Sequence, residues 1–482
     1  MKPYYESTLA PEHKHPHCST PMIPVTRVMF FAAVWLALSI ALSTANAEGM
    51  APVAFADKDC GPPVYCARTD RRTEPYPKTT PVPGPAGSSI KDPSFDSRIL
   101  RVTDAKSDAE RTGQSFHTPS APVQNSWNAT STKFYVIETG RRFLLYDFDP
   151  ASMTAHQASV LNLTWRGEPQ FSFTQPNLLY GTATRGAAFQ QYDLSNGKVT
   201  TVHDPADCMK LDASVYSFAL SVDAHDQRFS SVLGPQQDKN YIVYVYDRSK
   251  GCRWYNTQTG EVGGQWGAKG TVSAPNRYLM HGANMSKSGE FVDITGGGGW
   301  FIWSVDGLNV EPCNPGRAQQ CGGHHSLGYS HMVNPSGQQA MDLLIRPFNR
   351  VNEFSPLVEK LPTGGAWYDK HISWNNVDPQ DTNPACLSTY RRDNPNTPGA
   401  PPQVSGPWEN EIDCVETDRK ASRVWRFAHT YSTAQNGFWS SPRGNVSQDG
   451  RFFMFTSDWE NQLGQAPNDH GYRTDVFIVE LR

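Results

Sequence analysis

The chain has 482 residues, with 43 Lys and Arg against 47 Asp and Glu, and its formal net charge is −4. This balance argues against a nucleic-acid-binding protein that works by general basicity, because neutralising phosphates needs clustered basic residues. Charged residues make up only 19% of the chain, which disfavours a disordered polyelectrolyte. The 38 Gly, 37 Pro and 11% aromatic residues favour many short strands over long helices.

The N-terminal segment has the pattern of an export signal. Residues 28–42 form an apolar run of the length of a signal-peptide core, and the small residues Ala45–Ala47 follow it. We expect residues 1–47 to be a signal peptide with a long n-region, although Met22 is an alternative start. The alternative is an uncleaved anchor, but the run is short for a membrane span. The sequence thus predicts a secreted or periplasmic protein without a membrane span after cleavage.

The cysteines agree with export. Eight of the nine lie beyond the predicted signal peptide, and an even number in an exported chain predicts disulfides. Proximity along the chain suggests the pairs Cys60–Cys66, Cys208–Cys252, Cys313–Cys321 and Cys386–Cys414. No CxxC pair occurs, so a zinc ribbon has no support.

A recurring unit follows a leader rich in Pro, Gly, Ser and Thr at residues 48–95. In each unit an apolar strand ends in a polar turn and a second apolar strand follows. The turns of the seven copies lie at Asn128, Thr174, Asp223, Ser286, Asn334, Asn375 and Ser447. A period of roughly 40 to 50 residues with four strands per unit is typical of propeller blades. Residues 96–482 are therefore predicted to form an all-β, seven-bladed β-propeller of four-stranded antiparallel blades. The longer intervals predict loop insertions carrying Cys252 and the Cys386–Cys414 pair.

When the seven copies are aligned on their turn residues, each position of the repeat forms a column of residues that can be compared. Two positions before the turn most residues are small and polar, and we expect them to hydrogen-bond the backbone near the axis: Ser126, Ser172, Ser221, Asn284, Met332, Ser373 and Asn445. Four positions before the turn the residues differ: Gln124, Gln170, Ala219, Gly282, Ser330, His371 and Arg443. Because inner strands of propellers start at the face where ligands usually bind, this second column predicts a ligand site. The alternative is a structural hydrogen-bond network at the channel mouth.

Several histidines lie just before or within the predicted inner strands: His117, His281, His325, His331 and His371. His325 and His331, with His371 from the next blade, are candidate ligands of one divalent metal ion, since neutral imidazoles suit Zn or Mn. The candidate ions are Mn, Zn and Ca. The alternative is that these histidines lie near each other without binding metal.

The turn between two apolar strands, clearest at Val446–Phe452, resembles that of exported WD40-like propellers of the TolB type. The segment Ile99–Asp104 is similar to the strand that begins many of them. By this resemblance, Ile99–Thr103 would pair beside Val476–Leu481 in the last blade, closing the ring and removing exposed strand edges. The enzymes in this group that the chain resembles are propeller polysaccharide lyases, the oligogalacturonate and ulvan lyases. The resemblance implies a monomeric protein that cleaves acidic, uronate-containing glycans by β-elimination. The alternative is a non-catalytic ligand- or protein-binding propeller of the cell envelope.

Elimination on a polyuronate needs a cation beside the carboxylate and a base for the C5 proton. Arg443 is the candidate carboxylate clamp, because its fork matches carboxylate geometry. His371 and His331 are candidate bases, Tyr329 is a candidate proton donor, and His281 completes the catalytic candidates. The candidate sugar-binding residues are Gln124, Gln170, His117, Trp367 and Trp439. For the tryptophans the alternative is packing between blades.

Overall fold

The structure is a computed structural model. It describes residues 60–121, 123–140, 142–272, 278–297, 299–313, 321, 323–335, 341–358, 369–375, 377–391, 406–418, 423–435, 438–467 and 471–482. The predicted signal peptide and the first part of the leader, residues 48–59, lie outside these ranges, as does Trp367.

The described residues form seven antiparallel sheets. The chain is a seven-bladed β-propeller. Two early strands, β1 (Ser89–Lys91) and β2 (Arg98–Arg101), belong to the last blade. Blade one contains β3 (Phe116–His117), β4 (Lys133–Glu138), β5 (Arg142–Asp149) and β6 (Thr154–Leu161). Blade two contains β7 (Gln170–Phe171), β8 (Leu178–Thr182), β9 (Phe189–Asp193) and β10 (Lys198–His203). Blade three has six strands, β11 (Tyr216–Val222), β12 (Arg228–Gly234), β13 (Ile242–Asp247), β14 (Gly251–Asn256), β15 (Glu261–Gly264) and β16 (Gly270–Thr271).

The remaining blades follow the same order, with the first strand of each at the axis. Blade four contains β17 (Met280–Met285), β18 (Phe291–Gly296), β19 (Gly299–Ser304) and β20 (Val310–Pro312). Blade five contains β21 (Ser326–Leu327), β22 (His331–Pro335), β23 (Leu343–Pro347) and β24 (Ser355–Pro356). Blade six contains β25 (Asp369–Ser373), β26 (Ala385–Tyr390), β27 (Glu411–Val415) and β28 (Val424–His429). Blade seven contains β29 (Gly444–Val446), β30 (Phe452–Ser457) and β31 (Asp475–Glu480), followed by β2 and β1. Short 3-10 helices occupy Pro205–Asp207, Phe348–Arg350 and Phe438–Ser440.

Burial follows the position of a strand within its blade. All residues of β30 and β31 are buried, because apolar side chains on both faces of the sheet pack against neighbouring blades. By contrast, β6 and β10 lie at the outer edge of their sheets and are largely exposed. None of the helices found in the described part of the chain has the length and apolar character needed to cross a membrane.

The ring closes as the sequence predicted. Strand β2 pairs with β31, with Ile99 opposite Val479 and Leu100 opposite Ile478. Leu100 and Ile478 then pack in one apolar cluster with Trp127 and Phe134 of blade one. The N-terminal strands β1 and β2 are therefore paired into the last blade, and the first and last blades share an apolar core.

The described leader residues pack against blades six and seven. Tyr65 makes edge contacts with Trp425 and Phe427, with ring centroids 5.4 and 5.2 Å away, and its hydroxyl donates to the Gly450 carbonyl at 2.7 Å. The Arg426 amide donates to the Arg68 carbonyl at 2.8 Å, at the outer edge of blade six. The leader is thus held by apolar burial and by pairing to an otherwise open strand edge.

The four disulfides predicted from proximity are present: Cys60–Cys66, Cys208–Cys252, Cys313–Cys321 and Cys386–Cys414. Their predicted placement in loop insertions was wrong for two of them. Cys252 lies on β14, and Cys386 lies directly opposite Cys414 on paired strands of blade six. The long intervals come instead from additional strands and from connections between strands.

Candidate functional site

The segment of blade one that follows His117 reaches the propeller axis, where Val123 lines a small cavity, and we call its described residues, 118–121 and 123–124, the plug. Thr118 donates its amide to the Thr456 hydroxyl at 2.9 Å. The Asn375 and Asn445 side-chain amides both donate to the Gln124 carbonyl, at 3.1 and 2.8 Å. Blades six and seven therefore hold this plug in place.

Gln124 and Gln170, both predicted to bind substrate, have different surroundings. The Gln124 side-chain amide donates to the carbonyls of Glu168 and Pro169, at 2.9 and 3.1 Å, so it anchors the plug to blade two. Gln170 is buried and lines a small cavity at the axis.

Small hydroxyl side chains connect adjacent blades near the axis. The Ser221 hydroxyl accepts from the Met285 amide at 3.0 Å, that of Ser326 from Trp374 at 2.9 Å, and that of Ser373 from Val446 at 3.1 Å. This confirms the predicted backbone role for Ser221 and Ser373, whereas Ser126 donates to the Asn445 side-chain oxygen at 3.0 Å. In blade five, however, Ser326 occupies the position that the sequence alignment assigned to Met332.

The predicted repeat of blade five was wrong by one strand. His331–Pro335 is the second strand of the blade, and the first strand is Ser326–Leu327. The connecting turn lies at Gly328, whose amide donates to the His331 carbonyl at 2.8 Å. This turn lacks the polar pattern of the other copies because its acceptor comes from blade six.

That acceptor is Asp381. Its carboxylate accepts the amides of Tyr329, Ser330 and His331 at 2.7, 2.7 and 3.0 Å, and it accepts from Nδ1 of His331 at 3.1 Å. Asp226 of blade three likewise accepts from the blade-two turn. Tyr329 and His331, predicted as proton donor and metal ligand, therefore lie at the face where the inner strands end.

Replacing Asp381 by Asn tests this turn without changing its backbone conformation. Asp381 has a φ of 55°, and Asn tolerates this left-handed region well. The substitution turns one acceptor oxygen into an amide donor facing backbone donors, so we expect Asp381→Asn to lower the free energy of unfolding by about 1–3 kcal/mol. Urea denaturation measures this loss. Asp212→Asn, at an exposed position, is the matched control, and equal stability of the two variants would contradict the assignment.

The predicted metal ligands are separated by their partners. Nε2 of His325 lies 2.8 Å from Asp293, and its Nδ1 donates to the Gly323 carbonyl. Burial opposes protonation of His325, but the Asp293 carboxylate outweighs it and raises the pKa of the imidazole. His371 is buried and stacks on His324 at 3.9 Å between ring centroids. Within the described ranges, no three His, Cys, Asp or Glu side chains form a group able to hold a metal, so the predicted convergence of His325, His331 and His371 is not found.

An aromatic cluster covers Arg443 between blades seven and one. The guanidinium carbon lies 3.4 Å from the Phe438 ring centroid and 5.4 Å from that of Trp439. Trp439 in turn stacks on His117 at 3.9 Å. Burial, together with the nearby charge of Arg443, lowers the pKa of His117 to about 3, so this imidazole is neutral. Arg443 is only 2% exposed, whereas Phe438 is 54% exposed, so the predicted carboxylate clamp lies beneath a ring that faces solvent.

His281 has the most accessible arrangement among the predicted catalytic residues. The pairing between β17 and β18 shifts between Met280 and Gly282, so His281 is the extra residue of a β-bulge. Bulges redirect a side chain, and here the flanking Met280 and Gly282 are buried while the His281 side chain is 69% exposed.

Asp238 orients this histidine. Nδ1 of His281 donates to the Asp238 carboxylate at 2.6 Å, which leaves Nε2 as the acceptor nitrogen of the neutral ring. Asp238 belongs to a loop of blade three that is anchored to blade four, because the Met280 amide donates to the Asn240 carbonyl at 2.8 Å. The two side chains line an open cleft together with Tyr278, Leu279 and Gly296. Sequence reasoning missed Asp238, since nothing in its local pattern relates it to a residue of the next blade.

The structure thus distributes the predicted site over both faces. His281, His371, Arg443 and Trp439 lie toward the face where inner strands begin, and Tyr329 and His331 lie at the other. Blade four, which carries His281, is three positions from blade seven in the ring of seven. Of these residues, His281 combines exposure with a partner that fixes the tautomer.

Comparisons with known proteins find several similar solved structures. A solved structure of an oligogalacturonate lyase in complex with manganese is 13% identical, covers 86% of this chain and 98% of that chain, and has a TM-score of 0.48. Oligogalacturonate lyase from Vibrio parahaemolyticus is 10% identical over the same shares, with a TM-score of 0.47. TolB from Acinetobacter baumannii is 15% identical, covers 56% of this chain and 61% of that chain, and has a TM-score of 0.30. No family model and no curated protein matches the chain. At these identities and TM-scores the likenesses carry no argument about this chain.

Proposed function

We propose that this protein is a secreted carbohydrate-active propeller, a lyase that cleaves uronate-containing glycans by β-elimination. The observation that carries the proposal is the His281–Asp238 pair, held on a β-bulge at the edge of an open cleft. A histidine whose tautomer is fixed by a carboxylate can act as a general base, because its second ring nitrogen is left to accept a proton.

In this mechanism Nε2 of His281 removes the C5 proton of a uronate. The C–H electron pair forms the C4–C5 double bond, the C4–O bond breaks, and the departing oxygen takes a proton from water. The hydroxide that this leaves takes the proton from the His281 imidazolium, which restores the base. Asp238 stabilises the imidazolium that forms. Lys239 is exposed next to Asp238 and is the basic residue of this loop, and we propose it as the partner of the uronate carboxylate. Because the described residues offer no three-ligand metal group, no step passes through a metal.

Aromatic residues elsewhere on the same face would hold the glycan. Phe438 is exposed and Trp439 is partly exposed beside it, and flat rings of this kind pack against the apolar faces of sugars. A chain lying across the face from blade seven to blade four would contact both these rings and His281. The proposal therefore concerns a polymer rather than a monosaccharide.

The test is the ultraviolet absorbance of the unsaturated uronate product, followed while the purified mature protein acts on polygalacturonate, alginate and ulvan. We expect absorbance to rise with at least one polymer and to persist in EDTA, since the base and its partner are side chains of the protein. Abolition by EDTA would contradict this metal-independent mechanism. A flat trace from folded protein across the panel would contradict the lyase.

The burial of His371 and Arg443 favours a second candidate, a non-catalytic glycan-binding propeller. Neither side chain reaches solvent, which suits packing better than chemistry. In that case the exposed ring of Phe438 would still contact a sugar. Binding to immobilised polymer without product formation would support this second candidate.

A further inference from the structure

The cleft beside His281 has an apolar wall that the elimination mechanism does not use. Leu279 lines the cleft together with Tyr278 and Met280, and its side chain is 43% exposed, whereas both neighbours are buried. The volume of the cleft is about 500 Å³, which is within the range of sites that bind small ligands. A large apolar side chain that reaches solvent inside such a site offers a contact surface to part of the ligand.

Two glycines allow this wall to form. A Cβ on Gly296 would lie 2.3 Å from the Leu279 carbonyl oxygen, and a Cβ on Gly297 would lie 2.3 Å from that of Tyr278. Gly297 also has a φ of 57°, in the left-handed region that favours glycine. The Tyr278 carbonyl accepts from the Thr257 hydroxyl at 2.7 Å. Close backbone packing therefore fixes the position of Leu279 before a ligand arrives.

The charges of the cleft disfavour a free carboxylate at this wall. The described residues that line the cleft include the Asp238 carboxylate but no lysine or arginine. The Asp238 side chain is 63% exposed, so its charge acts on a ligand that enters. A uronate carboxylate placed against Leu279 would lose water without gaining a partner there, and Asp238 would repel it. The adjacent Lys239 only balances Asp238, so the two residues together offer no surplus positive charge.

We propose, building on the lyase function proposed above, that the sugar cleaved in this cleft is a methyl-esterified uronate whose methyl group packs on Leu279. The ester has no charge for Asp238 to repel, and its methyl group gains apolar contact. Lys239 then donates to the ester carbonyl oxygen. Esterification also makes the C5 proton more acidic, because the enolate of an ester carries one negative charge and that of a carboxylate carries two. The site therefore has less charge to stabilise during proton removal.

The elimination balances as it does for a free uronate. Nε2 of His281 takes the C5 proton, the C–H electron pair moves into the ester carbonyl and then forms the C4–C5 double bond, and the C4–O bond breaks. The departing oxygen takes a proton from water, and the hydroxide that remains takes the proton from the imidazolium. The ester bond is not broken. The product is a 4,5-unsaturated uronate methyl ester, which absorbs in the same ultraviolet region as the unsaturated acid.

The experiment compares two forms of one polymer, a highly methyl-esterified polygalacturonate and the same preparation after a methylesterase has removed its esters. Chain length is then matched, and product absorbance gives kcat/KM for each form. We expect kcat/KM to be at least about tenfold higher for the esterified form, because repulsion between two nearby charges has this magnitude at partly exposed sites.

Equal values, or faster cleavage of the de-esterified form, would overturn the proposal and leave the lyase function intact. Absorbance that rises with alginate or ulvan but with neither form of polygalacturonate would have the same meaning. A flat trace with every polymer would contradict the lyase function itself, and the ester proposal with it.

Leu279→Ala tests the apolar wall. Shortening this side chain should lower kcat/KM for the esterified form about tenfold and change that for the de-esterified form less than about twofold. Leu279→Met keeps the apolar contact and should retain the preference. Val199→Ala is the matched control and should leave both values unchanged, because Val199 is also 43% exposed but lies on the outer strand of blade two. An undiminished preference for the esterified form in Leu279→Ala would overturn the assignment of the methyl group to Leu279.

Discussion

Replacing Arg426 by Met should lower the free energy of unfolding by about 3–5 kcal/mol, because it leaves a buried carboxylate without its partner. The Arg426 guanidinium makes two hydrogen bonds to Glu411, at 2.8 and 2.7 Å, and both side chains are fully buried. Nη1 also donates to the Asp70 carboxylate and to the Arg72 carbonyl, at 3.0 and 2.9 Å. The substitution thus breaks the ion pair inside blade six and its connection to the leader.

Asp413 makes this site more sensitive to the loss of Arg426. It is buried beside Glu411, and burial together with the Glu411 charge raises its pKa well above the usual range. The neutral form of Asp413 therefore adds no second negative charge beside Glu411. Burial raises the pKa of Glu411 as well, and the hydrogen bonds and charge of Arg426 oppose that rise. Without Arg426, Glu411 would be the ionisable group left in an apolar site.

Arg423→Met is the matched control for this prediction. Arg423 precedes the same strand, is 40% exposed and lies 3.9 Å from Glu416, so its loss should cost less than about 1 kcal/mol. Urea denaturation of both variants compares their free energies of unfolding. Adding Glu411→Gln to Arg426→Met should recover part of the loss, because no unpaired charge then remains. An Arg426 variant as stable as the Arg423 variant would show that the pair contributes little.

Replacing His281 by Ala should reduce kcat/KM for uronate polymer by about 10²–10⁴-fold, the usual contribution of a general base. Asp238→Asn should reduce it by at least about tenfold, because an amide does not hold the imidazole in the same tautomer with the same charge. The absorbance of the unsaturated product measures kcat/KM for both variants. The side chains are exposed, so we expect unfolding midpoints close to that of the unaltered protein.

His156→Ala is the control for the His281 variant. His156 is exposed on the outer strand of blade one and lines neither the cleft nor the axial cavity. Its replacement should leave both activity and stability unchanged. If His281→Ala were folded and fully active, the base would have to be a different residue and the assignment of the cleft would fail.

Much of the fold was predictable because a propeller repeats its local pattern. Each blade alternates apolar strands with polar turns, so the copies at Ser286 and Ser447 indicate blades without knowledge of their neighbours. The closing strand at Ile99 could be recognised from its resemblance to related propellers. The disulfides followed from proximity along the chain, and the serine column followed from the crowding of strands at the axis.

Contacts between blades determine the features that the sequence did not predict. The amides of the blade-five turn donate to the Asp381 carboxylate, which the next blade supplies. The local sequence of this turn therefore carries no turn signal, and the alignment of the repeats was shifted by one strand in blade five. The partner of His281 is Asp238, 43 residues earlier in the chain.

Sequence by itself determined the number of blades, because backbone pairing and burial recur with a short local period, and it suggested the closing strand and the cysteine pairs. Only the tertiary structure decided which of the candidate residues reach solvent. Arg443 lies under Phe438, His371 lies against His324, and His281 stands out on a bulge. Exposure depends on what neighbouring blades place over a side chain, and residues distant in the sequence make those contacts.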